Sequence, residues 1–469
     1  MSVDAHPPRI AVILAAGCGE RLRARGSSTP KPLTGLLGVS LAERVVRSLL
    51  AAAPIEKIVV SLGYDADRVR THFELIAIRC GIRMEFVTAA DWRLGNGASA
   101  LAAEPATGTE PFLLTMSDHV FTPGLVSDLI ADPPCPGSIR LAVNRDRAAV
   151  FDLDDVTRVQ LSGERITAIG KGLASWDAAD TGVFWCSAGL YDGLRQAAAK
   201  GEHGLSGGVV TLSESNLAIG VDVTGHWWKD VYTPGALRDA EEHMLRVVTC
   251  KQNDGPVARY LNRPVSRRLT RWLVRTSVSP NQLSLMAFGL ACIAAACMAA
   301  GPYWLLLAGG LLAQFSSIVD GSDGEIARLR FEQSEFGGWF DAILDRYADA
   351  ILLFGLAWHA MHTNSVESSI AAGFAAVMGS FLNSYTADKY DGLMRERIGG
   401  RIRIGRDVRV LLVAAGAVLN QPLATLWLVA LLINGEVVRR IIVCWQAAAA
   451  ASSTSRERQT GWPFPPEPS

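Results

Sequence analysis

The chain has 469 residues, of which 49% are hydrophobic, and its 45 basic residues nearly balance its 46 acidic residues. This length predicts two or three domains, and the balanced charge argues against a nucleic-acid-binding protein of the usual basic kind. Apolar residues form short runs up to about residue 250, as in a soluble α/β domain, and long stretches after about residue 280.

The cysteines and the N-terminal residues bear on the cellular compartment. Cysteines at positions 18, 80, 135, 186, 250, 292, 297 and 444 form no Cys-x-x-Cys pair and no metal-ligand spacing. Reduced, buried thiols are therefore expected, which favours a cytoplasmic location for the soluble half. Residues 1–9 are polar and the apolar run 10–16 is short, so no signal peptide is expected.

The first predicted element is a buried strand over residues 10–15, which leads into the glycine-rich turn L-A-A-G-C-G-E-R-L at residues 14–22. In such a turn, backbone N–H groups approach phosphates closely, with help from helix-terminal dipoles. Arg21 and Lys31 carry charge that would neutralise a triphosphate. A lone Gly-x-Gly turn also fits a plain strand–turn–helix, and it is neither a Walker A motif nor a full dinucleotide-binding fingerprint.

Two aspartates downstream suggest a metal site in this half. Residues 113–116 predict a buried strand that ends at Ser117-Asp118-His119, and an acid just past the carboxyl end of such a strand lies where α/β sheets bind ligands. Asp118 is therefore a candidate metal ligand, and Asp230 is a candidate second ligand for the same ion. A single aspartate at a strand end is more often a turn former. His119 is expected to be a packed neighbour of the acid.

The glycine-rich turn and the following Pro30-Lys31-Pro32-Leu33 resemble the sugar-phosphate nucleotidyltransferase family, whose signature is L-A-A-G-x-G-x-R…P-K. The strings at residues 95–97, 116–119 and 180–182 are most similar to inositol-1-phosphate cytidylyltransferases, and the resemblance covers about residues 8–245. It implies a Rossmann-like, GT-A-like mixed sheet. It also implies nucleotide contacts from Leu14, Ala15, Ala16, Gly17, Gly19 and Gly97, triphosphate binding by Arg21 and Lys31, metal binding by Asp118 and Asp230, and substrate binding by Lys171 and Asp180.

Six apolar stretches follow, at about residues 283–300, 302–319, 339–361, 368–387, 408–419 and 422–443. The longer stretches approach the ~20 residues that cross a bilayer, which predicts about six transmembrane helices, with the short fifth stretch the weakest. Arginines precede the first stretch, separate the fourth from the fifth and close the sixth, whereas the alternate loops carry no Lys or Arg. The positive-inside rule therefore places the soluble domain, both termini and both sites on the cytoplasmic side of the inner membrane. Residues 265–276 predict an amphipathic helix on the membrane surface.

Four aspartates interrupt the apolar stretches in the pattern D-x-x-D-G-x-x-A-R-x8-G-x-x-x-D-x-x-x-D over residues 320–345. The spacings put Asp320 and Asp323 on one helix face, and Asp341 and Asp345 on one face of the next helix. Such charge at membrane depth is costly unless a cation neutralises it. Hard oxygen ligands suit Mg2+, Mn2+ or Ca2+, and two such ions can clamp a diphosphate. Two alternative interpretations of these aspartates are acids at helix ends that take no part in a reaction, and acids in the ion pathway of a transporter.

This pattern resembles the signature of the CDP-alcohol phosphatidyltransferase family at every position, and the resemblance covers about residues 250–445. Members move a phosphoalcohol from a CDP-alcohol to a hydroxyl acceptor and release CMP, and homodimerisation is a family expectation. The resemblance implies metal binding by Asp320, Asp323, Asp341 and Asp345, with Asp345 alternatively the general base. It further implies close approach of the nucleotide at Gly324, Ala327 and Gly337, and a diphosphate contact from Arg328.

An arginine cluster lies beside this motif and includes Arg401, Arg403, Arg406 and Arg409. The cluster fits a topology signal, and it equally fits a pocket for an anionic acceptor, because planar guanidinium groups bind phosphate in a bidentate manner. Residues 405–409 resemble the loop of the membrane family that holds the phosphate of an inositol phosphate acceptor.

Together these observations predict an α/β nucleotidyltransferase domain fused to an all-α polytopic membrane domain. The predicted parts are residues 1–248, a linker and juxtamembrane helix at 249–281, a membrane domain at 282–446 and a disordered tail at 447–469. The fusion resembles bifunctional inositol-1-phosphate cytidylyltransferase/di-myo-inositol phosphate phosphate synthases, which implies CTP, inositol 1-phosphate, CDP-inositol and membrane lipids as partners. A lipid synthase using CDP-diacylglycerol, or a CDP-glycerol or CDP-ribitol pathway enzyme, remains an alternative because the acidic motif marks the CDP-alcohol and not the acceptor.

Overall fold

A computed structural model describes residues 7–22, 29–149, 156–250, 257–394 and 405–459. The chain divides into two compact units, Met1–His243 and Met244–Ser469. The first unit is α/β and the second is all-helical. The division falls a few residues before the domain end predicted at residue 248, inside a helix that spans Pro234–Thr249.

The first unit alternates strands and helices along the chain. Its strands are β1 Ile10–Ala15, β2 Gly35–Leu36, β3 Val39–Ser40, β4 Lys57–Leu62, β5 Arg83–Thr88, β6 Phe112–Met116, β7 His119–Phe121, β8 Ile139–Asn144, β9 Arg158–Ser162, β10 Arg165–Gly170, β11 Ala178–Cys186, β12 Ala218–Asp222 and β13 Trp228–Asp230. Its helices are α1 Leu41–Ala52, α2 Ala66–Cys80, α3 Asn96–Leu101, α4 Glu104–Thr107, α5 Pro123–Leu129, α6 Gly189–Ala199, α7 Leu205–Glu214 and α8 Pro234–Thr249. Short 3-10 turns lie at Lys31–Leu33 and Arg147–Ala149.

The main sheet has nine strands in the order β5-β4-β1-β6-β11-β8-β12-β10-β9. Strand β1 is parallel to β4 and β6, whereas β11 runs antiparallel to β6 and β8, which confirms the predicted mixed α/β sheet. Alternate residues of β1 enter different cores: Ala11 and Ile13 pack into one cluster, and Val12 and Leu14 pack into the other. Both faces of the sheet are therefore covered, as expected for parallel strands that read as continuous apolar runs.

A separate two-stranded sheet pairs β7 with β13 in antiparallel register, with Asp230 opposite His119. Strand β7 begins three residues after β6 ends at Met116, so Asp118 lies in the short connection between them. This small sheet brings a residue from late in the unit beside the end of a central strand.

The second unit is a bundle of helices. They are α9 Arg263–Leu273, α10 Pro280–Ala299, α11 Tyr303–Arg330, α12 Glu335–Thr363, α13 Val366–Met394, α14 Arg406–Val418 and α15 Pro422–Gln459, with a π-helical turn at Ala258–Asn262. Helices α10 to α15 lie over the six predicted apolar stretches. Within the described residues, α10 and α11 are the two helices that are long and apolar enough to cross a membrane, with mean hydropathy 1.9 and 1.3. The count of six spans stays a prediction.

The predicted juxtamembrane helix is present as α9, and it packs against α11. Glu325 on α11 is fully buried and accepts hydrogen bonds from Arg263 Nη1 at 2.6 Å, Ser266 Oγ at 2.9 Å and Thr270 Oγ1 at 2.6 Å. On other sides of α9, Trp272 is 66% exposed. Helix α9 is therefore amphipathic, with a polar inner face fixed to α11, and its place on a membrane surface stays a prediction.

The predicted disordered tail needs a correction. Helix α15 continues to Gln459, well past residue 447 where the tail was expected to begin. The run of five alanines at residues 447–451 explains the extension, because alanine has the highest intrinsic helix propensity. The proline-rich end of the predicted tail, after residue 459, lies outside the described residues.

Candidate active sites

The first candidate site forms where β6, β7 and β13 meet. Two backbone hydrogen bonds fix this corner. Ser117 N donates to Leu14 O of β1 at 3.0 Å, and Val231 N donates to Asp118 O at 3.1 Å. Ligand atoms of Asp118, His119 and Asp230 all lie within 4.8 Å of one another. The two acids predicted to share an ion are therefore brought together, and a histidine joins them.

Lys31 points at both acids. Its Nζ forms an ion pair with a carboxylate oxygen of Asp118 and lies 3.7 Å from Asp230 Oδ1. The preceding glycine-rich turn fits closely against this lysine: Gly19 has φ +65°, and a Cβ built there would lie 2.6 Å from Lys31 Cβ. Glycine at this position thus allows the turn and the lysine to pack side by side, next to the acids.

His119 is buried between the acids and the turn at Gly182. Its Nδ1 lies 2.9 Å from Asp118 Oδ1 and 3.9 Å from Asp230 Oδ1. Gly182 has φ +75°, and a Cβ there would lie 2.6 Å from His119 Nε2 and 2.8 Å from Met116 Cε. His119 was predicted to be a packed neighbour of the acid, and the structure adds a direct contact of its Nδ1 with Asp118, which follows β6.

Charges at this corner perturb each other. Burial alone would raise the pKa of Asp118, but the neighbouring Lys31 and His119 outweigh burial and lower it. Burial alone would lower the pKa of His119, but Asp230 and Asp118 outweigh it and raise the pKa to about 9. Burial raises the pKa of Asp180 to about 6, against the opposing hydrogen bond from the Gly182 backbone. Lys31 and His119 therefore both favour the ionised form of the Asp118 carboxylate.

The other predicted residues of the first unit are placed as follows. Leu14 and Ala15 lie in β1, and they and Ala16 are buried in the core, whereas Gly17 is exposed. Arg21 Cζ lies 5.9 Å from the ring centroid of Tyr232, and Lys171 is exposed in the turn after β10. Their roles toward a nucleotide or a sugar phosphate stay predictions.

Asp180 and Gly97 have structural partners. Asp180 Oδ1 accepts a hydrogen bond from Gly182 N at 2.7 Å, so it caps the turn that touches His119. A Cβ at Gly97 would lie 2.7 Å from His203 O, and the neighbouring Asn96 Oδ1 accepts a hydrogen bond from Leu205 N at 2.8 Å. Gly97 therefore permits close backbone packing between the start of α3 and the segment before α7. Its contact with a nucleotide stays a prediction.

The second candidate site lies between α11 and α12. Ligand atoms of Asp320, Asp341 and Asp345 all lie within 4.8 Å of one another. The fourth predicted ligand, Asp323, is 8% exposed, accepts a hydrogen bond from Ser284 Oγ of α10, and also contacts Gly324 N. The three-residue and four-residue spacings thus bring two helices' carboxylates to one place, with Asp323 held by a neighbouring helix.

Arginines of α14 enter this acidic cluster. Arg406 Nη1 lies 2.5 Å from Asp320 Oδ2 and also contacts Asp345, while its Nε lies 3.2 Å from Asp349 Oδ1. Arg409 Nη2 lies 2.5 Å from Asp349 Oδ2. Arg401 and Arg403 lie outside the described residues. Asp349 was not singled out in the sequence, although it continues the four-residue spacing that connects Asp341 and Asp345.

The remaining motif residues flank the acids. A Cβ at Gly324 would lie 3.2 Å from Arg328 Nη1, and Arg328 Nη2 donates to Val248 O at 3.3 Å. Gly337 N donates to Ser334 Oγ at 3.0 Å in the first turn of α12. Ala327 is partly buried on α11. Contacts of these residues with a nucleotide stay predictions.

The donor sets fit hard divalent cations. In the second cluster all ligands are carboxylate oxygens, and Asp341 Oδ1 is buried with no hydrogen-bond partner among the described residues. Carboxylates are the protein ligands that Mg2+ and Mn2+ prefer. In the first unit, Asp118 and Asp230 offer carboxylates, and His119 Nδ1 contacts Asp118. Both sites therefore carry the chemistry that a phosphate-bound cation requires.

Comparison with known proteins assigns each half. Residues 11–150 match the family described as MobA-like NTP transferase domain, and residues 277–450 match the CDP-alcohol phosphatidyltransferase family. A protein of Rubrobacter xylanophilus named bifunctional IPC transferase and DIPP synthase is 40% identical over 438 residues, which cover 92% of this chain and 95% of that protein. The chain belongs to this family.

A second relative agrees with membership of the bifunctional IPC transferase and DIPP synthase family. A protein of the same name from Archaeoglobus fulgidus is 31% identical over 410 residues, covering 86% of this chain and 77% of that protein. A solved structure, the inositol-1-phosphate CTP transferase from T. maritima, aligns with 24% identity and a TM-score of 0.45 over 50% of this chain and 95% of that one. The two family matches and the Rubrobacter xylanophilus relative show that the chain is a transferase with a nucleotidyltransferase domain and a membrane-associated CDP-alcohol phosphotransferase domain.

Proposed function

We propose that this enzyme makes CDP-inositol from CTP and inositol 1-phosphate, and then transfers phosphoinositol from CDP-inositol to a second inositol 1-phosphate with release of CMP. One observation carries the proposal. Each unit has its own acidic cluster that could hold a divalent cation, with Asp118 and Asp230 beside His119 in one, and Asp320, Asp341 and Asp345 in the other. The relatives are named for two activities, and two sites are what two activities need.

In the first step, a phosphate oxygen of inositol 1-phosphate attacks the α-phosphorus of CTP. The bond from that phosphorus to the β-phosphate oxygen breaks, and diphosphate leaves. Lys31 and Arg21 hold the triphosphate and oppose the charge that develops on the leaving diphosphate. Asp180 orders the inositol hydroxyls and Lys171 binds the inositol phosphate. Backbone N–H groups of the turn at Gly17 and Gly19 approach the CTP phosphates.

In the second step, a hydroxyl of another inositol 1-phosphate attacks the β-phosphorus of CDP-inositol. The bond from that phosphorus to the bridging oxygen breaks, and CMP leaves with the electron pair. Asp345 takes the hydroxyl proton or holds a cation, Arg328 meets the diphosphate, and Arg406 and Arg409 bind the acceptor's phosphate. The product is di-myo-inositol phosphate carrying one extra phosphate.

At both sites Mg2+, with Mn2+ as an alternative, would neutralise phosphate oxygens and stabilise the leaving group. Asp118 and Asp230 would hold it in the first unit, and Asp320, Asp323, Asp341 and Asp345 in the second. The second unit would cross the inner membrane six times, with both sites facing the cytoplasm, because the arginine-rich loops alternate with loops that hold no Lys or Arg. Homodimerisation is part of the proposal as a family expectation.

A pair of variants tests the division of labour on the full-length protein. Asp118→Ala should abolish CDP-inositol formation and leave the second step intact when CDP-inositol is supplied, and Asp345→Asn should do the reverse. Each variant is thus the folding control for the other, and loss of both activities in either folded variant would contradict two separate sites. Products from CTP and labelled inositol 1-phosphate should be compared with and without CDP-diacylglycerol. A product that forms only with the lipid would replace this proposal by lipid synthesis.

A further inference from the structure

Asp349 is a buried carboxylate that lies one helical turn beyond Asp345 on α12 and outside the signature pattern. It is 6% exposed. Its carboxylate meets three donors: Arg406 Nε at 3.2 Å, Arg409 Nη2 at 2.5 Å and Ser380 Oγ at 2.9 Å. A carboxylate this deeply buried is rare unless it is paired, and here it is paired with two guanidinium groups.

The two oxygens of Asp349 are divided between the arginines. Oδ1 meets Arg406, and Oδ2 meets Arg409. Arg406 and Arg409 are three residues apart in the first turn of α14, so they lie on the same face of that helix. One carboxylate therefore fixes the spacing and the rotation of both guanidinium groups.

Each guanidinium keeps donors that Asp349 does not use. Arg406 Nη1 reaches Asp320 and Asp345, which are carboxylates assigned to divalent cations in the proposed second step. When those carboxylates are engaged by cations, Nη1 can turn to another anion while Asp349 retains Nε. Arg409 Nε is buried and has no hydrogen-bond partner among the described residues. A phosphate placed beside the pair would satisfy both groups.

We propose that Asp349 is a positioning residue that holds Arg406 and Arg409 as a two-arginine clamp for the phosphate of the acceptor. The inference rests on the proposed second step and concerns the acceptor side of that site alone. The CDP-alcohol is not a ligand of this clamp. Loss of Asp349 therefore weakens binding of the acceptor and leaves binding of the donor substrate unchanged.

The test uses the full-length protein in detergent micelles with Mg2+ present. Asp349→Asn keeps the shape of the side chain and removes its charge. Ser380→Ala is the matched control, because it removes a hydrogen bond to Asp349 Oδ2, which Arg409 also contacts, and leaves both arginines in place. Calorimetric titration with inositol 1-phosphate gives the Kd of the acceptor, and second-step kinetics give KM for inositol 1-phosphate and for CDP-inositol. A variant of the first site, Asp118→Ala, serves as background so that only the second site consumes inositol 1-phosphate.

We expect Asp349→Asn to raise the Kd and the KM of inositol 1-phosphate about tenfold or more, since charge-assisted contacts of two arginines are loosened. KM for CDP-inositol should stay within about twofold. Ser380→Ala should leave all three constants within about twofold, because Arg406 and Arg409 still hold the carboxylate of Asp349 when the serine donor is lost. If Asp349→Asn does not fold, Asp349→Glu takes its place with the same expected split, because the longer side chain displaces both guanidinium groups while keeping the charge.

Equal changes in both KM values, or a fall in kcat with an unchanged acceptor Kd, would show a merely structural ion pair and overturn the role of Asp349. The proposed function fails in a different way. A parent protein that makes no product from CDP-inositol and inositol 1-phosphate overturns the second step itself, whatever the variants do.

Discussion

Asp230 is the register partner of His119 in the small sheet formed by β7 and β13, and its carboxylate Oδ1 lies 3.9 Å from His119 Nδ1. The histidine also lies 2.9 Å from Asp118 Oδ1. The imidazole therefore orients the carboxylate of Asp118 and lies beside that of Asp230. Partners of this kind typically change metal affinity by about 10–100-fold when they are removed.

His119→Phe should therefore raise the Mg2+ concentration needed for half-maximal CDP-inositol formation by roughly tenfold or more. Phenylalanine keeps a ring against Gly182 and removes the contact with Asp118. The measurement is the Mg2+ dependence of CDP-inositol formation, and the second step from supplied CDP-inositol is the internal control. An unchanged Mg2+ dependence would show that His119 only fills space.

Gly182→Ala tests the contact between the turn after Asp180 and the histidine. Gly182 and Gly163 both have positive φ, +75° and +66°, but a Cβ at Gly163 meets nothing within 4 Å whereas one at Gly182 would meet the His119 ring. Left-handed backbone alone costs about 1–2 kcal/mol for a residue with a Cβ. We expect Gly163→Ala to show that cost without loss of CDP-inositol formation, and Gly182→Ala to lower both stability and the first-step rate.

The comparison is made by heating each variant and following its remaining first-step activity. If Gly182→Ala and Gly163→Ala had equal midpoint temperatures of inactivation and equal first-step rates, the His119 ring would move aside without loss of stability or activity. In that case the turn at Gly182 would not help to place His119.

Local sequence spacing accounts for much of both sites. The pairs Asp320–Asp323 and Asp341–Asp345 follow from helical periodicity, and Asp118 follows from its place after an apolar strand. Asp230 was expected beside Asp118 from its order along the chain, and β13 brings it there by pairing with β7.

Contacts between segments that are distant along the chain could not be predicted from local sequence spacing. Asp349 continues the four-residue spacing of Asp341 and Asp345. Its contacts with Arg406 and Arg409 depend on the packing of α14 against α12, which no local sequence pattern predicts. Glycine is needed at position 97 because a Cβ there would lie 2.7 Å from the backbone oxygen of His203, and these two residues are even farther apart along the chain than Asp349 and Arg406. The helical extension of α15 was not predicted, because an alanine-rich run followed by polar residues and prolines is also typical of a disordered tail.

Glu325→Gln tests the attachment of α9 to the motif helix. Glu325 is fully buried and its partner Arg263 is 9% exposed, so Glu325→Gln breaks a buried ion pair by removing its negative charge. Breaking a buried ion pair in this way costs about 3–5 kcal/mol. We expect a clear fall in the unfolding temperature of the second unit, measured by loss of second-step activity on heating in detergent.

Ser266→Ala is the matched control for Glu325, because it removes one hydrogen bond to the same carboxylate and leaves the ion pair with Arg263 in place, so it should cost less, about 1.5–3 kcal/mol. A Glu325→Gln protein as stable as the Ser266→Ala protein would show that Arg263 reaches solvent or another acid when its partner is lost. CDP-inositol formation should be unaffected in both, because the first unit holds its own site.

Ser284→Ala tests the support of Asp323, the one motif aspartate that lies outside the cluster of three. Ser284 on α10 donates a hydrogen bond to Asp323, and Ser316 on α11 donates to Ala287 O at 2.8 Å. Both serines are buried and both join α10 to α11, but only Ser284 touches an acid. Ser316→Ala is therefore the matched control, since it removes a helix–helix hydrogen bond and leaves the aspartates untouched.

Without Ser284, Asp323 loses the donor that fixes its rotamer, and a cation held by the four aspartates loses an oriented ligand. Ser284→Ala should therefore raise the Mg2+ concentration for half-maximal CMP release by about tenfold, whereas Ser316→Ala should leave it within about twofold. The measurement is CMP release from CDP-inositol across a Mg2+ series. Equal effects of the two alanines would assign Ser284 to helix packing, and Asp323 would then bind its cation unaided by α10.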